Sequence, residues 1–288
     1  MGQSMRDIKR RIRSVNNTKQ ITKAMELVAS AKLRKAREKL EKTRPYFNTV
    51  VRSIQEILAE TTGIKHPFLE KRDVKNTGYI VITGDRGLAG GYNSNVIKLT
   101  ENHIDKNKDN SALITVGSKG RDYFKNRGYN IEGEFLHISE DPRYTDADNI
   151  GKTVIELYEK EEIDEVYLVY TVFNSPISQE AKMMKLLPAE NIEGEDTGEK
   201  ERKTLIQYEP SAEEVLSYLI PKYIKSSIYG AMIEASASEQ GARRTAMQSA
   251  TDNAEDMIDS LELKYNRARQ ASITQEISEI VGGAEALK

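Results

Sequence analysis

Cysteine and tryptophan are absent from this 288-residue sequence, and histidine occurs only three times. The lack of cysteine excludes disulfides and thiolate chemistry. His66, His103 and His137 stand far apart in the sequence, which argues against a metal site. No apolar run approaches the roughly 18 residues that a membrane-spanning helix needs, and the charged first residues do not resemble a signal peptide. No serine has a recognisable nucleophile elbow around it, and no catalytic set can be assembled from the sequence.

Apolar residues are also scarce, because hydrophobic residues make up 38% of the chain and charged residues 31%. This balance favours an elongated body with much surface and little interior. The net charge of -2 hides an asymmetry, since residues 1–44 hold 14 Lys and Arg against 4 Asp and Glu. The basic segment is either a solvated helical face or a surface for an acidic protein partner or a nucleic-acid backbone.

Both ends of the chain have the apolar spacing of long helices. The first helix is predicted from about Arg6 to Arg44, where Pro45 should end or kink it before the pattern resumes. The last helix is predicted from Ser211 to Val281, with Gly282 and Gly283 as its end. Helices of this length usually form coiled coils. We therefore expect an antiparallel pair in which the C-terminal helix extends beyond its partner by roughly 30 Å.

The middle of the chain changes to a β-strand pattern. Strands are predicted at Tyr79–Thr83, Ala112–Val116, Val166–Val172 and Lys182–Leu187, and helices at Asn95–Lys106, Lys119–Arg127 and Asp146–Glu161. This alternation predicts a mainly parallel sheet in a central Rossmann-like α/β domain, so the fold class is α/β plus long helices. The predicted division is residues 1–62, 75–208 and 209–288, with a mobile charged loop at residues 190–203.

A glycine-rich segment, Gly84–Gly91, follows the first predicted strand and precedes a helix. A phosphate-binding loop would occupy this place. The segment lacks both the Walker lysine and the dinucleotide glycine spacing, so a tight β-to-α turn is the favoured interpretation. Asp85 and Arg86 could form a surface ion pair there.

Five segments together resemble the gamma subunits of F-type ATP synthases of the bacterial type. The C-terminal one reads ITQEISEIVGGAEA, and it matches the family signature at Ile273, Thr274, Glu276, Glu279, Gly283 and Ala284. The other four are Ile21–Leu33, Thr83–Asn93, Gly117–Phe124 and Ala237–Ile258. They occur in order from one end of the chain to the other.

The resemblance implies a central-stalk rotor subunit that is not itself catalytic and needs no cofactor. Its implied partners are the ring of three alpha and three beta subunits, the epsilon subunit and the ring of c subunits. Rotation of the c-ring would turn the shaft and drive the beta subunits through their conformations. The implied location is the cytoplasmic face of a bacterial cell membrane, held there through the complex. The absence of cysteine distinguishes the chain from redox-switched chloroplast members.

The resemblance also assigns contact residues. Met25 matches the shaft methionine near the lever region of the beta subunits, and Arg243 and Arg244 cover the position of the shaft arginine. Four polar positions of the C-terminal helix match residues that contact the surrounding ring: Arg269, Gln270, Thr274 and Glu276. Tyr208 and Glu209 match the foot segment that meets the c-subunit loops.

Two other interpretations remain open. A nucleic-acid-associated coiled-coil protein would use the basic N-terminal helix as its electrostatic surface, and salt-sensitive DNA binding would support it. A nucleotide-binding enzyme with helical arms would use the α/β domain, and stoichiometric nucleotide binding by the isolated chain would support that.

Overall fold

The computed structural model describes residues 5–60, 66–104, 108–189, 209 and 211–286. The predicted charged loop at residues 190–203 and the predicted foot residue Tyr208 lie outside these ranges. The chain forms two compact units, which are made of residues 30–243 and of residues 1–29 with 244–288. The division predicted from the sequence follows the secondary structure, whereas these compact units share both long helices.

Two long helices lie at the ends of the chain, α1 from Met5 to Glu60 and α5 from Ala212 to Ala286. The sequence allowed Pro45 either to end or to kink the first helix, and it does not end it, because α1 continues through this residue. The residues that follow are buried in the core, with Val51 and Ile57 each 1% exposed, and this burial outweighs the hydrogen bond that proline removes. The predicted end at Gly282 is wrong, since a glycine costs a helix only about 1 kcal/mol.

The α/β domain lies between the long helices in the sequence. Its elements are β1 Thr77–Ile82, α2 Tyr92–Ile104, a 3-10 turn at Lys108–Asn110, β2 Ser111–Val116, α3 Ser118–Lys125, β3 Ile131–Phe135, α4 Tyr144–Glu159, β4 Glu165–Ser175 and β5 Ser178–Leu187. The sheet order is β3-β2-β1-β4-β5. Neighbouring strands are parallel except β4 and β5, which are antiparallel. This confirms the predicted mainly parallel sheet.

Helices cover both faces of this sheet, as a parallel sheet requires. Tyr79 and Val81 of β1 pack with side chains of α2 and α3, including Val96 and Phe124. Ile80 and Ile82 of the same strand belong to the larger core cluster, to which α1, α4 and α5 contribute. The alternation along β1 thus places one residue set on each face.

In the compact unit made of residues 1–29 and 244–288, α1 and α5 pair along their length. Lys19 contacts Glu255, and Thr22 contacts Thr251, so the two helices are antiparallel. Ile8 and Leu261 are buried at 4% and 5% exposure. Every described side chain after Leu261 is exposed or half-buried, which agrees with the expectation of a C-terminal segment beyond its partner helix. None of the described helices has an apolar stretch long enough for a membrane span.

Candidate functional site

The loop between β1 and α2 has a carboxylate at its centre, on Asp85. Its Oδ1 accepts hydrogen bonds from the backbone N–H of Ser118 and of His137, both at 3.0 Å. Its Oδ2 accepts one from the hydroxyl of Ser139 at 2.8 Å. These bonds join the carboxyl ends of β1, β2 and β3. Burial opposes the charged form, but the hydrogen bonds together outweigh it and lower the pKa of Asp85.

This carboxylate decides the role of the glycine-rich segment. The backbone N–H groups at this edge of the sheet bind Asp85 of the chain itself, and a negative charge there repels a phosphate. The segment is therefore a β-to-α turn, as the sequence favoured, and it gives no support to a nucleotide-binding enzyme. Arg86 forms its ion pair with Glu140 and not with Asp85: its Nε lies 3.6 Å from Glu140 Oε1.

Helix α5 presents a second, buried carboxylate to the same loop. Glu239 is 0% exposed, and a Cβ atom on Gly84 would lie only 2.9 Å from its carboxyl carbon. Only glycine permits this approach without a shift. Glu239 Oε1 accepts a hydrogen bond from Arg243 Nη2 at 2.5 Å, and that nitrogen also donates to the backbone oxygen of Gly87 at 3.2 Å. The ion pair thus holds the loop on the helix.

Glu239 has no surface exposed to solvent. Burial raises the pKa of Glu239, and the positive charge of Arg243 opposes that shift. Burial raises the pKa of the neighbouring Tyr92 well above its ordinary value, and the Glu239 carboxylate adds to the effect. Among the described residues, Glu239 Oε2 has no hydrogen-bond partner. The protein interior therefore holds the ion pair of Glu239 and Arg243.

The two adjacent arginines of α5 differ in exposure. The sequence favoured a solvated pair, and this is wrong for Arg243, which is only 7% exposed and bonded within the chain. Arg244 is half-buried. Successive helical residues point about 100° apart, so one arginine of this pair faces the loop after β1 and the other points away from it.

The β4–β5 hairpin also packs on α5. Ser238 Oγ donates to the backbone oxygen of Thr171 at 3.0 Å, and the backbone N–H of Phe173 donates to Glu234 at 3.2 Å. A Cβ atom on Gly241 would lie 3.1 Å from Gln179 Nε2. Residues 234–243 of α5 are thus held by the hairpin and by the loop after β1.

Part of the basic surface of α1 is used inside the chain. Lys32 pairs with Glu140 at 2.8 Å, while Lys35 and Lys39 both pair with Asp141 at 3.2 and 3.1 Å. Lys39 also donates to the backbone oxygen of Pro142. The hydrogen bond from Lys39 is the main cause that lowers the pKa of Asp141. These three lysines hold α1 on the α/β domain, which weakens the case for a nucleic-acid surface.

Met25 lies on α1 in the compact unit of residues 1–29 and 244–288 and is half-buried. Two polar contacts in that unit fix the register of the helices, the 2.7 Å bond between the hydroxyls of Thr22 and Thr251 and the 2.7 Å ion pair of Lys19 with Glu255. Both threonines are buried, at 8% and 6% exposure. Met25 therefore lies on one helix of a pair whose register is fixed.

The four predicted ring-contact residues of α5 are exposed. At about 100° per residue they lie within roughly 160° of one helix face. Large apolar side chains that the sequence assigned to a packed stripe lie on that same face and are exposed by 48 to 71%: Ile273, Ile277, Ile280 and Val281. The polar and apolar sets together form a surface that we call the C-terminal face: Arg269, Gln270, Ile273, Thr274, Glu276, Ile277, Ile280 and Val281.

The remaining candidates are simple to place. Glu209 is exposed. His66 is buried against Ser217, and His103 contacts the hydroxyl of Tyr79. No group of three potential metal ligands occurs in the described ranges of the chain.

Sequence reasoning missed Glu239 as a site residue. A signal was present, because an acid four residues before an arginine places both on one helix face. The burial of that pair depends on the loop after β1, which helix spacing alone does not reveal.

The whole chain resembles known proteins. A family model described as ATP synthase matches residues 4–287. The ATP synthase gamma chain of Alkaliphilus metalliredigens is 61% identical over 290 residues, with both chains fully covered. The sodium-ion-specific ATP synthase gamma chain of Acetobacterium woodii is 56% identical over 302 residues, again with full coverage of both chains.

Solved structures have the same fold. A chain in the cryo-EM structure of the central stalk and c-ring of the Tetrahymena thermophila mitochondrial ATP synthase aligns with a TM-score of 0.63 and 28% identity. The alignment covers 80% of this chain and 99% of that one. A chain of the Euglena gracilis mitochondrial ATP synthase aligns with a TM-score of 0.68 over 98% of this chain and 94% of that one. At 20% identity, that second likeness supports the fold alone.

Proposed function

Because the chain belongs to the family of ATP synthase gamma chains, we propose that it turns as the shaft of that enzyme and contacts the stationary subunits through the C-terminal face. The chain is the central-stalk rotor subunit of a complex with F1 and a c-ring, and it is not the catalytic subunit. Its association with the membrane is through that complex.

The observation that carries this proposal is the C-terminal face itself. A helix whose large apolar residues are exposed by 48 to 71% in the isolated chain has the kind of surface that contacts another protein. The apolar residues alternate with the polar ones, so the face offers no broad adhesive patch. Such a surface suits a contact that must form and break as the shaft turns.

Rotation of the shaft affects catalysis because the shaft contacts each catalytic site differently. A shaft that touches three catalytic sites differently stabilises a different conformation at each, and its turning moves these populations around the ring. Met25, Arg243 and Arg244 are the further proposed contacts with the alpha and beta subunits. Arg243 has little free surface for such a contact, so Arg244 is the better exposed of the two.

The proposed lower partners are the c-ring and the epsilon subunit. Glu209 is exposed and lies three residues before the first residue of α5. With Tyr208 it is proposed to form the foot contact. The proposed location is the cytoplasmic face of a bacterial cell membrane, supported by bacterial relatives at full-length identities of 56 and 61%.

Assembly with alpha and beta subunits tests this function first. The chain is co-expressed with both, and the purified product is assayed for MgATP hydrolysis and for rotation of a bead fixed to the α/β domain. We expect one copy of the chain for every six ring subunits, and rotation that depends on ATP. A chain that never joins the ring would refute the proposal.

Reversing one charge on the C-terminal face tests the contact surface. We expect Arg269→Glu to lower the ATP-driven rotation rate and the hydrolysis rate of the assembled complex several-fold, because a negative charge then replaces the positive charge that faces the ring. Lys264→Glu is the matched control, since Lys264 is exposed on the same helix but points about 140° away from Arg269. Equal losses in both variants would contradict the assignment of the face.

A further inference from the structure

A cavity of about 370 Å³ lies in the compact unit of residues 30–243. It is bounded by residues 40–48 of α1, by the β4–β5 hairpin and by residues 227–234 of α5. Its walls are largely apolar, with Leu40, Phe47, Val172 and Met184 among them. The size is at the lower end of the range for small-molecule sites, and the mixture of apolar walls with a few polar groups is typical of them.

A buried tyrosine supplies a polar group to the cavity wall. Tyr170 lines the same space, and burial followed by the charge of Glu234 raises its pKa to about 12. Its hydroxyl therefore stays neutral and can donate a hydrogen bond.

The charged groups of the cavity favour an anion. Arg44 and Lys182 line it against the single carboxylate of Glu234, which already accepts a hydrogen bond from the backbone N–H of Phe173. The lining thus has an excess of one positive charge. None of these groups belongs to the C-terminal face or to the contact residues proposed above.

We propose that this cavity binds an amphipathic carboxylate, a small organic monoanion with an apolar body. The body packs on Leu40, Phe47 and Met184, and the carboxylate lies between Arg44 and Lys182. This site is independent of the rotor contacts, so the proposal stands or falls separately from them.

Gly230 makes the site testable. A Cβ atom on Gly230 would meet nothing within 4 Å, and this residue lines the cavity. A leucine there fills the space in which the ligand body would lie. Gly283 is the matched control, because a Cβ atom on it also meets nothing within 4 Å, and it lies on the same helix far from the cavity.

The experiment measures fluorescence of 8-anilinonaphthalene-1-sulfonate with the full chain, and its displacement by decanoate and by 1-decanol. We expect saturable enhancement that decanoate displaces at concentrations at least tenfold lower than decanol. Gly230→Leu should weaken the binding at least tenfold, while Gly283→Leu leaves it unchanged. Lys182→Gln, at an exposed position that does not endanger folding, should remove most of the preference for decanoate.

Three results would overturn the proposal. The first is binding by Gly230→Leu equal to that of the unaltered chain. The second is an equal loss in Gly283→Leu, which would place the probe on the helix surface. The third is displacement by decanol as effective as by decanoate, which would exclude recognition of the anion.

Discussion

The ion pair of Glu239 and Arg243 on α5 is buried in the fold. Its side chains are 0% and 9% exposed, so water screens the attraction very little. Removal of either charge leaves the other buried and unpaired, which is the costly outcome for such pairs. The pair also carries the contact to Gly87, so its loss frees the loop after β1 from α5.

A double-mutant cycle tests this pair. We expect Glu239→Gln and Arg243→Gln each to lower the free energy of unfolding of the full chain by about 3 kcal/mol. The double variant should lose less than the sum of the two, by about 1 to 3 kcal/mol, because no lone charge stays buried. Urea unfolding followed by circular dichroism measures all three. Glu262→Gln serves as the control, since that carboxylate is exposed on the same helix and its loss should leave the transition unchanged. Strict additivity would contradict the pairing.

Asp85 gives the chain an acid-sensitive element. Its pKa is lowered in the folded state, so its stabilising effect is present above the unfolded value of about 3.9 and is lost as the pH falls through the folded value. We expect Asp85→Asn to cost about 1 to 2 kcal/mol near neutral pH, the lower part of the range because the carboxylate is only half-buried.

The sign of that effect is checked by urea unfolding at two pH values. The difference between the unaltered chain and Asp85→Asn should be smaller at about pH 3 than at about pH 7, because the unfolded chain then binds a proton at this aspartate that the folded chain binds only at lower pH. Ser139→Ala is a useful companion, since it removes one hydroxyl donor and keeps the charge. A difference of the same size at both pH values would show that the carboxylate acts only through its shape.

At the scale of elements, the long helices were predictable because their apolar spacing persists for many turns. Their ends were not predictable, since the rules for helix ends give too much weight to a single proline or glycine. Pro45 stands inside α1 because the turns after it bury Val50, Val51 and Ile54 in the core. A proline penalty of about 3 kcal/mol is smaller than the burial of several such side chains.

The sheet shows the same contrast between strong and weak patterns. The four predicted strands are rich in β-branched and aromatic residues or alternate clearly, and all four exist. Strand β3, Ile131–Phe135, was missed because it is a short edge strand whose five residues are only half-buried or exposed. A glycine at its centre also lowers its propensity.

The sequence predicted the contact residues near the C-terminus better than the buried residues of α5 that face the loop after β1. The four polar residues of the C-terminal face were assigned as contacts through the family resemblance, and all four are exposed. The apolar residues of that face were instead assigned to a packed stripe. Arg243 and Arg244 could not be told apart, because the direction of each depends on which side of α5 meets the loop after β1. The role of Glu239 required that loop in three dimensions.

At the scale of the whole molecule, charge is distributed unevenly and for two purposes. The net charge is only -2, yet the first 44 residues hold 14 Lys and Arg. Lys32, Lys35 and Lys39 bind acids of the α/β domain and so serve the fold. Arg34 and Arg37 lie on α1 among these lysines but are exposed, and Arg34 has only a 3.8 Å contact with Glu38 of the same helix. The exposed set is the part of the basic surface left for a partner.

Charge reversal separates these two sets. Arg34→Glu with Arg37→Glu should leave the urea transition of the full chain nearly unchanged, because the contact of Arg34 with Glu38 is exposed and long. It should reduce assembly with alpha and beta subunits several-fold, with a marked dependence on salt, because the attraction to the partner is reversed. Lys35→Glu with Lys39→Glu changes the charge by the same amount, but it sets two new carboxylates against Asp141. That variant should lose about 1 kcal/mol of folding stability.

Pull-down of tagged beta subunit at low and high salt measures assembly. Normal assembly of the arginine variant would mean that the exposed basic residues only solvate the helix.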